Sequence, residues 1–363
     1  MISEGKFGPQ EAICLITISI LSKIFFTSPR QVAEIVGTAG WYMTLISAFI
    51  AAIGFTFVFF LLKKYKNKNI IEIYEIVYGK YIGIIISGLT GIFFLVNASV
   101  NVREFGDVLK VYMLPITPLE YILIIFAGVI LTLCIIGLES IARLSKLSSY
   151  FIFAGIIIVL LLSVQNYDIN HLFPLLGYGL GNTVLHGAAR SSVYGDVFIL
   201  AVIANSLQGI NHIKKSGYFS IIISGILASV NLLAFILAFP YSTAQEITSP
   251  MYELSALIDY GRFIQRIDPI FFFVWIVSSF ILITIYIYSF ISIYCKMFKY
   301  PDLKPVLFPA IIMFLVIALI PEDVSTVVTG YIQSIREYGW IIFYFIPFIT
   351  FITSLIFKKE ADA

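Results

Sequence analysis

Apolar residues run along this chain in blocks long enough to cross a bilayer, separated by short polar breaks. A membrane-spanning helix needs roughly 20 mostly apolar residues, with a range of about 17–25. Ten segments meet or approach that length: 11–36, 39–62, 82–113, 120–137, 147–164, 181–208, 217–239, 268–295, 305–320 and 338–357. The ninth is short and flanked by proline, and the third is long enough to require tilt. Two blocks are not uniformly apolar. In LGYGLGNTVLHGAARSSVYGDVFILAVIAN, from Leu176 to Asn205, Gly181, Gly187 and Gly195 interrupt the run, and Arg190, Ser191, Ser192 and Asp196 stand where lipid would favour Leu. A helix wholly surrounded by lipid does not tolerate this, whereas one that breaks inside the protein around a small polar cavity does. The first block, EAICLITISILSKIFFTSPRQVAEIV, carries Lys23 about halfway along, followed by Thr27, Ser28 and Pro29. Proline disfavours helix at the residue before it, so a break is expected over 23–28.

The two interrupted blocks are the first and the sixth. Dividing the chain near residue 170 leaves five blocks in each half, each half opening on its interrupted block. Five is odd, so the halves lie in opposite orientations. This is the hydropathy pattern of an inverted-repeat transporter, whose site lies between the broken helices near the membrane midplane. The expected architecture is an all-α polytopic membrane protein with ten transmembrane helices in a 5+5 inverted repeat, helices 1 and 6 discontinuous. It forms one integral membrane domain over 1–363, with repeats at about 8–165 and about 175–358. Two longer connections carry helical patterns. Ile70, Ile73, Tyr74 and Val77 lie on one face of an amphipathic segment expected at the membrane interface. Leu254, Leu257 and Ile258 mark a surface lid or docking helix within 240–267.

Charge orients the bundle. With both termini cytoplasmic, inner segments hold fifteen of the 23 basic residues, whereas outer segments hold Arg30, Lys110, Arg262, Arg266 and Arg336. An odd number of spans would destroy this asymmetry. Composition agrees with membrane residence: 60% of residues are hydrophobic and 12% charged, against about 25% charged in soluble domains. A net charge of +2 gives no ground for a nucleic-acid partner. The opening MISEGKFGPQE lacks a basic stretch followed by a small-residue cleavage site, so no cleavable signal is expected. Cys14, Cys134 and Cys295 lie in or beside apolar blocks and form no CxxC pair, and His171, His186 and His212 have no ligand spacing. No metal or cofactor is expected. Without HExxH, GxSxG or a P-loop, and with no catalytic domain beside the spans, the chain does not read as an enzyme.

The candidate chemistry lies in the interrupted blocks and the helices expected to face them. A lysine at mid-membrane costs about 2.5–3.5 kcal/mol on insertion scales, so Lys23 requires an acidic partner, a carbonyl cage or an aqueous pocket. It either snorkels to an interface, replaces a coupling cation, or binds a ligand carboxylate. Asp196 is the available counter-charge for Lys23 or for a ligand ammonium, and Gly195 permits backbone angles that free polar groups. The alternative for both is close helix packing with Asp196 at the aqueous boundary. In the third block Asn97, Asn101 and Glu104 share a face, and Arg103 and Asp107, four apart, can pair as a structural seam. Thr284, Tyr286 and Tyr288 interrupt the eighth block.

Several runs resemble one family: FFTSPRQVAEIVG at 25–37, IIEIYEIVYGKYIG at 70–83, REFGDVLKVYMLPITPLEYI at 103–122, GLESIARLSK at 137–146, NHLFPLLGYGLG at 170–181, SSVYGD at 191–196 and RIDPIF at 266–271. They are similar, in order and over nearly the whole chain, to the endospore germination permeases, the B subunits of germinant receptors within the amino acid–polyamine–organocation superfamily. The LP-x-TP element at Leu114–Pro118 and the E-x-IAR element at Glu139–Arg143 carry the most weight. The resemblance implies a LeuT/APC-like bundle in the spore inner membrane, beside an A-type subunit and a lipoprotein C-type subunit. It implies sensing of a small germinant, often an amino acid. By position it implies a pocket lined by Ser22, Lys23 and Ile24 on helix 1, Phe93 and Asn97 on helix 3, Tyr194, Gly195 and Asp196 on helix 6, and Leu282 and Tyr286 on helix 8. Where many relatives carry small residues, often Gly-x-Gly, this chain has Ser22-Lys23-Ile24, which narrows and charges the pocket. The functions compatible with these features are a germinant-sensing receptor subunit, an autonomous amino-acid transporter, or an ion-conducting component of the receptor.

Overall fold

The computed structural model describes residues 5–24, 28–247, 249–261, 267–323 and 326–356. Among these, regular structure is helical apart from one β-bridge, Phe7 with Leu207. In chain order the helices are α1 (Pro9–Ile24), α2 (Ser28–Val36), α3 (Gly40–Lys64), α4 (Ile70–Tyr78), α5 (Lys80–Tyr112), α6 (Leu119–Ile136) and α7 (Leu138–Leu162). There follow α8 (Leu180–Ala189), α9 (Ile199–Val202), α10 (Ile210–Ala238), α11 (Tyr241–Ala244), α12 (Pro250–Ala256), α13 (Asp268–Met297) and α14 (Lys304–Ala318). The last, Thr326–Ile356, includes α15 (Gln333–Tyr338) and α16 (Ile346–Ile356), with wider π-type turns at Thr326–Ile332 and Ile341–Phe345.

Seven helical stretches among the described residues are long and apolar enough to cross a membrane: Ser28–Lys64, Lys80–Tyr112, Leu119–Ile136, Leu138–Asn166, Ile210–Ala238, Asp268–Met297 and Thr326–Ile356. The other expected spans fall on shorter or interrupted pieces: α1 with 16 residues, α14 with 15, and the broken stretch from α8 to α9. Large side chains such as Ile85, Ile125, Leu161, Phe273 and Phe308 point outward. A surface this apolar suits lipid rather than water. The chain is an integral membrane protein.

Small residues set the helix spacing. On α10, Ser216, Gly217, Ser220, Ser224 and Gly225 are buried along α1 and α3. A Cβ at Gly217 would stand 2.1 Å from the Phe55 ring, so only hydrogen fits there. Close backbone approach through small residues is a usual way for helices to associate in lipid. The α5–α13 contact is instead aromatic, with Phe105 4.4 Å from Trp275 between ring centroids. The LP-x-TP element forms the turn between α5 and α6, closed by Thr117 N–H donating to Leu114 O at 3.0 Å.

Two sequence expectations change on folding, and a third, the Arg103–Asp107 seam, is met and extended. The apolar face of α4 turns to protein rather than to the membrane interface: Ile70, Ile73, Tyr74 and Val77 are buried and α4 packs chiefly on α5. An Asn69/Glu72 capping box fixes its start, the Asn69 side chain accepting from Ile71 N at 3.1 Å and Glu72 N at 3.0 Å. Arg103 and Asp107 pair at 2.9 Å, but Arg103 also donates to Ala318 O at 3.4 Å and Glu322 O at 3.3 Å, so it ties α5 to the end of α14. Arg336, expected in an outer segment, is buried inside the last helix. That helix begins about twelve residues before the apolar block at 338–357, because Val327, Val328 and Ile332 already bury one of its faces.

Candidate functional site

The break in the sixth block is a change of helix type. After α8 the backbone tightens to a nine-residue 3₁₀ segment, Arg190–Phe198, before relaxing at α9. Runs of 3₁₀ helix beyond three or four residues are uncommon and often mark strain or function. Every residue of the segment is buried. Gly195 faces the last helix so closely that a Cβ would lie 2.0 Å from the Phe343 ring. In the first block α1 ends at Ile24 and α2 starts at Ser28; the expected break over 23–28 includes 25–27, which lie outside the described residues, as do Arg262 and Arg266.

The last turn of α1 and the 3₁₀ segment bring Lys23 to Asp196. Lys23 Nζ donates to Asp196 Oδ1 at 2.8 Å, with the carboxylate completely buried. The Tyr286 hydroxyl donates to the same oxygen at 2.5 Å, and Lys23 Nζ lies 5.9 Å from the Tyr286 ring centroid. Asp196 Oδ2 has no hydrogen-bond partner among the described residues. Separating two such charges in a low-dielectric interior costs about 3–5 kcal/mol, so the pair joins α1, the 3₁₀ segment and α13.

Beside the pair is a cavity of about 20 Å³ lined by Lys23, Asn97, Asn101, Ser192, Val193, Tyr286, Ile332, Ile335, Arg336 and Phe343. About 10–15 Å³ suffices for one water, so an amino acid does not fit unless side chains or helices move. Asn97 donates to Phe93 O at 3.0 Å and Asn101 to Asn97 O at 2.8 Å, leaving their amide oxygens as acceptors.

Of the ten residues expected in the pocket, Lys23, Asn97 and Tyr286 line this cavity, and Asp196 is bonded to two of them. Phe93 flanks it, edge-on to Phe343 at 5.2 Å. The others surround it without lining it. Ser22 Oγ meets Ser279 Oγ on α13 at 3.3 Å, and Tyr194 turns to α3, its hydroxyl 2.7 Å from Thr44 Oγ1. Gly195 abuts Phe343, and Ile24 and Leu282 are packed in the core. Sequence reasoning missed the wall supplied by the last helix. Ile332, Arg336, Gly339 and Phe343 recur at helical spacing in the sequence, and that periodicity was the available signal. Arg336 donates to Gln31 Oε1 at 2.5 Å and to Lys23 O at 3.2 Å.

A family profile described as "Spore germination protein" matches residues 6–327. This chain belongs to that family. Among its relatives, Spore germination protein A2 of Bacillus subtilis (strain 168) is 27% identical, over 95% of this chain and 94% of the relative. Spore germination protein KB of the same organism is 20% identical, over 93% and 89%. In fold, the chain resembles Mhp1, a nucleobase-cation-symport-1 family transporter solved closed with bromovinylhydantoin bound. The TM-score is 0.63 at 11% identity, covering 99% of this chain and 92% of that one. A sodium-coupled sialic acid symporter gives a TM-score of 0.66 at 12% identity, covering 94% and 79%. The family and these neighbours are permeases or transporters, not enzymes. The bundle is therefore similar in fold to these two transporters.

Proposed function

We propose that this chain is the germinant-sensing membrane subunit of a spore germinant receptor. It binds a small molecule, an amino acid by class, in the midplane cavity and so triggers germination. The observation that carries this reading is the small cavity beside Lys23, Asp196 and Tyr286, where the 3₁₀ segment meets the end of α1. A cavity of about 20 Å³ binds nothing of amino-acid size until it opens. A ligand that stabilises an open state shifts the bundle by its difference in affinity for the two states. Partner subunits of the A and C type would read that shift. The pocket is the set Ser22, Lys23, Ile24, Phe93, Asn97, Tyr194, Gly195, Asp196, Leu282 and Tyr286, with Arg336 added from the last helix. We further take the bundle to be ten helices in two inverted repeats, in the spore inner membrane, with both termini cytoplasmic. The basic residues of the inner segments support this orientation.

The test is germination of spores carrying Lys23→Ala against a panel of amino acids, with protein level followed by blot. Loss or change of germinant at normal protein level is expected. An unaltered response at normal level would remove Lys23 from the site. Accumulation of amino acid in vesicles holding this chain alone would instead favour an autonomous transporter.

A further inference from the structure

The ion pair leaves Lys23 without spare charge for a ligand, since Asp196 neutralises it at 2.8 Å. Two other cations are buried on the side of the cavity facing α2 and the last helix. Arg190 is 2% exposed and Arg336 5%. Both donate to one neutral atom, Gln31 Oε1: Arg336 Nη1 at 2.5 Å and Arg190 Nη2 at 3.3 Å. The Gln31 amide is held in turn by donating to Val328 O at 3.0 Å. The two guanidinium groups repel each other, and Arg190 Nη1 has no hydrogen-bond partner among the described residues. Glu104 attracts Arg336, and Glu337 attracts Arg190. Glu337, however, is engaged at 2.9 Å by Gln333.

Arg336 also donates to Lys23 O at 3.2 Å, but these neutral oxygens are poor partners for two buried guanidinium groups. A carboxylate offers a full negative charge and two oxygens, and guanidinium forks bind it bidentately. Arg336 lines the cavity, so a carboxylate entering there meets it first. We propose that Arg190 and Arg336 form the carboxylate-recognition element of the cavity, with Gln31 as the internal occupant that a ligand carboxylate displaces. The proposal rests on the reading of this cavity as the ligand site and deepens it. The ligand class becomes small molecules with a free carboxylate. Lys23 stays in the cavity wall, with its charge spent on Asp196.

The full chain in lipid nanodiscs can be titrated calorimetrically with L-alanine and the other protein amino acids, each beside its carboxamide. The acids should bind at least tenfold more tightly than the amides, since a hydrogen bond to a charged group carries roughly that weight. Arg336→Gln should remove that preference. Gln31→Glu is the sharper variant, because it supplies the arginines with a carboxylate of nearly the same shape and keeps them paired. It should melt no lower than wild type and bind the acids at least tenfold more weakly. Equal binding of acids and amides by wild type, or unchanged acid binding by Gln31→Glu, overturns the arginine assignment and leaves the sensing reading standing. If wild type binds neither acids nor amides, the sensing reading falls, and acetate tests the anion site alone. Acetate raising the melting temperature of wild type but not of Gln31→Glu upholds the site, and no rise overturns it. Chloride acting as strongly as acetate would mark a site for inorganic anions and overturn the carboxylate assignment.

Discussion

Lys23 and Asp196 were legible in the sequence because a charge within an apolar run is itself a signal. A buried cation must find a counter-charge, and Asp196 was the natural candidate in the other interrupted block. The structure puts them in contact, at 2.8 Å with the carboxylate buried. Lys23→Ala leaves that carboxylate without its cation, and Asp196→Asn leaves the ammonium without its anion. Each single change should destabilise the protein by about 3–5 kcal/mol, a loss that a fold stable by about 5–15 kcal/mol survives. The double variant strands neither charge and should recover most of that loss. Thermal unfolding of all four proteins in one detergent reads the coupling; additive losses would mean that the two residues do not act as a pair. Tyr286→Phe removes one hydrogen bond to the same carboxylate and should cost about 1.5–3 kcal/mol. Arg336 was missed for the converse reason. It stands just before an apolar block, and there a charge reads as the end of a helix rather than as part of one.

At the scale of elements, hydropathy located the helices but not what their faces touch. The face of α4 bearing Ile70, Ile73, Tyr74 and Val77 has the same periodicity whether it meets lipid or protein, and only the fold shows that it packs on α5. The broken sixth helix was legible from Gly195 and the polar residues around it. Its 3₁₀ form was not, because nothing in the sequence distinguishes that turn from an unwound one. Gly195 gives this element a direct test. A Cβ there would meet the Phe343 ring at 2.0 Å, so Gly195→Ala forces the 3₁₀ segment and the last helix apart. Overpacking of this kind costs about 1–3 kcal/mol. Phe343→Leu should restore much of the stability lost by Gly195→Ala while costing stability in the native background. Equal losses in both backgrounds, measured by thermal melts, would show that the two elements are not in contact there.

At the scale of the whole molecule, the contacts that join the helices differ between the two ends of the bundle. At the end holding the N-terminal segment, Phe7 pairs with Leu207, Phe7 N–H donating to Ser206 O at 3.3 Å. There Glu11 and Lys146 form an ion pair at 2.8 Å, and Lys296 Nζ donates to Val202 O at 2.8 Å. Toward the other end, Gln31 bonds to Arg336 and Arg190, Thr38 Oγ1 donates to Pro174 O, and Gln245 Nε2 donates to the Tyr178 hydroxyl at 2.8 Å. A transporter must open the two ends in turn. A sensor needs only the end by which its ligand enters, and on the proposed orientation that is the end away from Phe7. Phe7→Cys with Leu207→Cys would lock the N-terminal end when oxidised, because residues paired in a bridge lie within disulfide reach. For a sensor, spores carrying the locked pair should still respond to germinant, and reduction should change the response little. Loss of response on oxidation, restored by reduction, would mean that the cycle opens that end too, and the chain would then have to be understood as a transporter whose turnover is the signal.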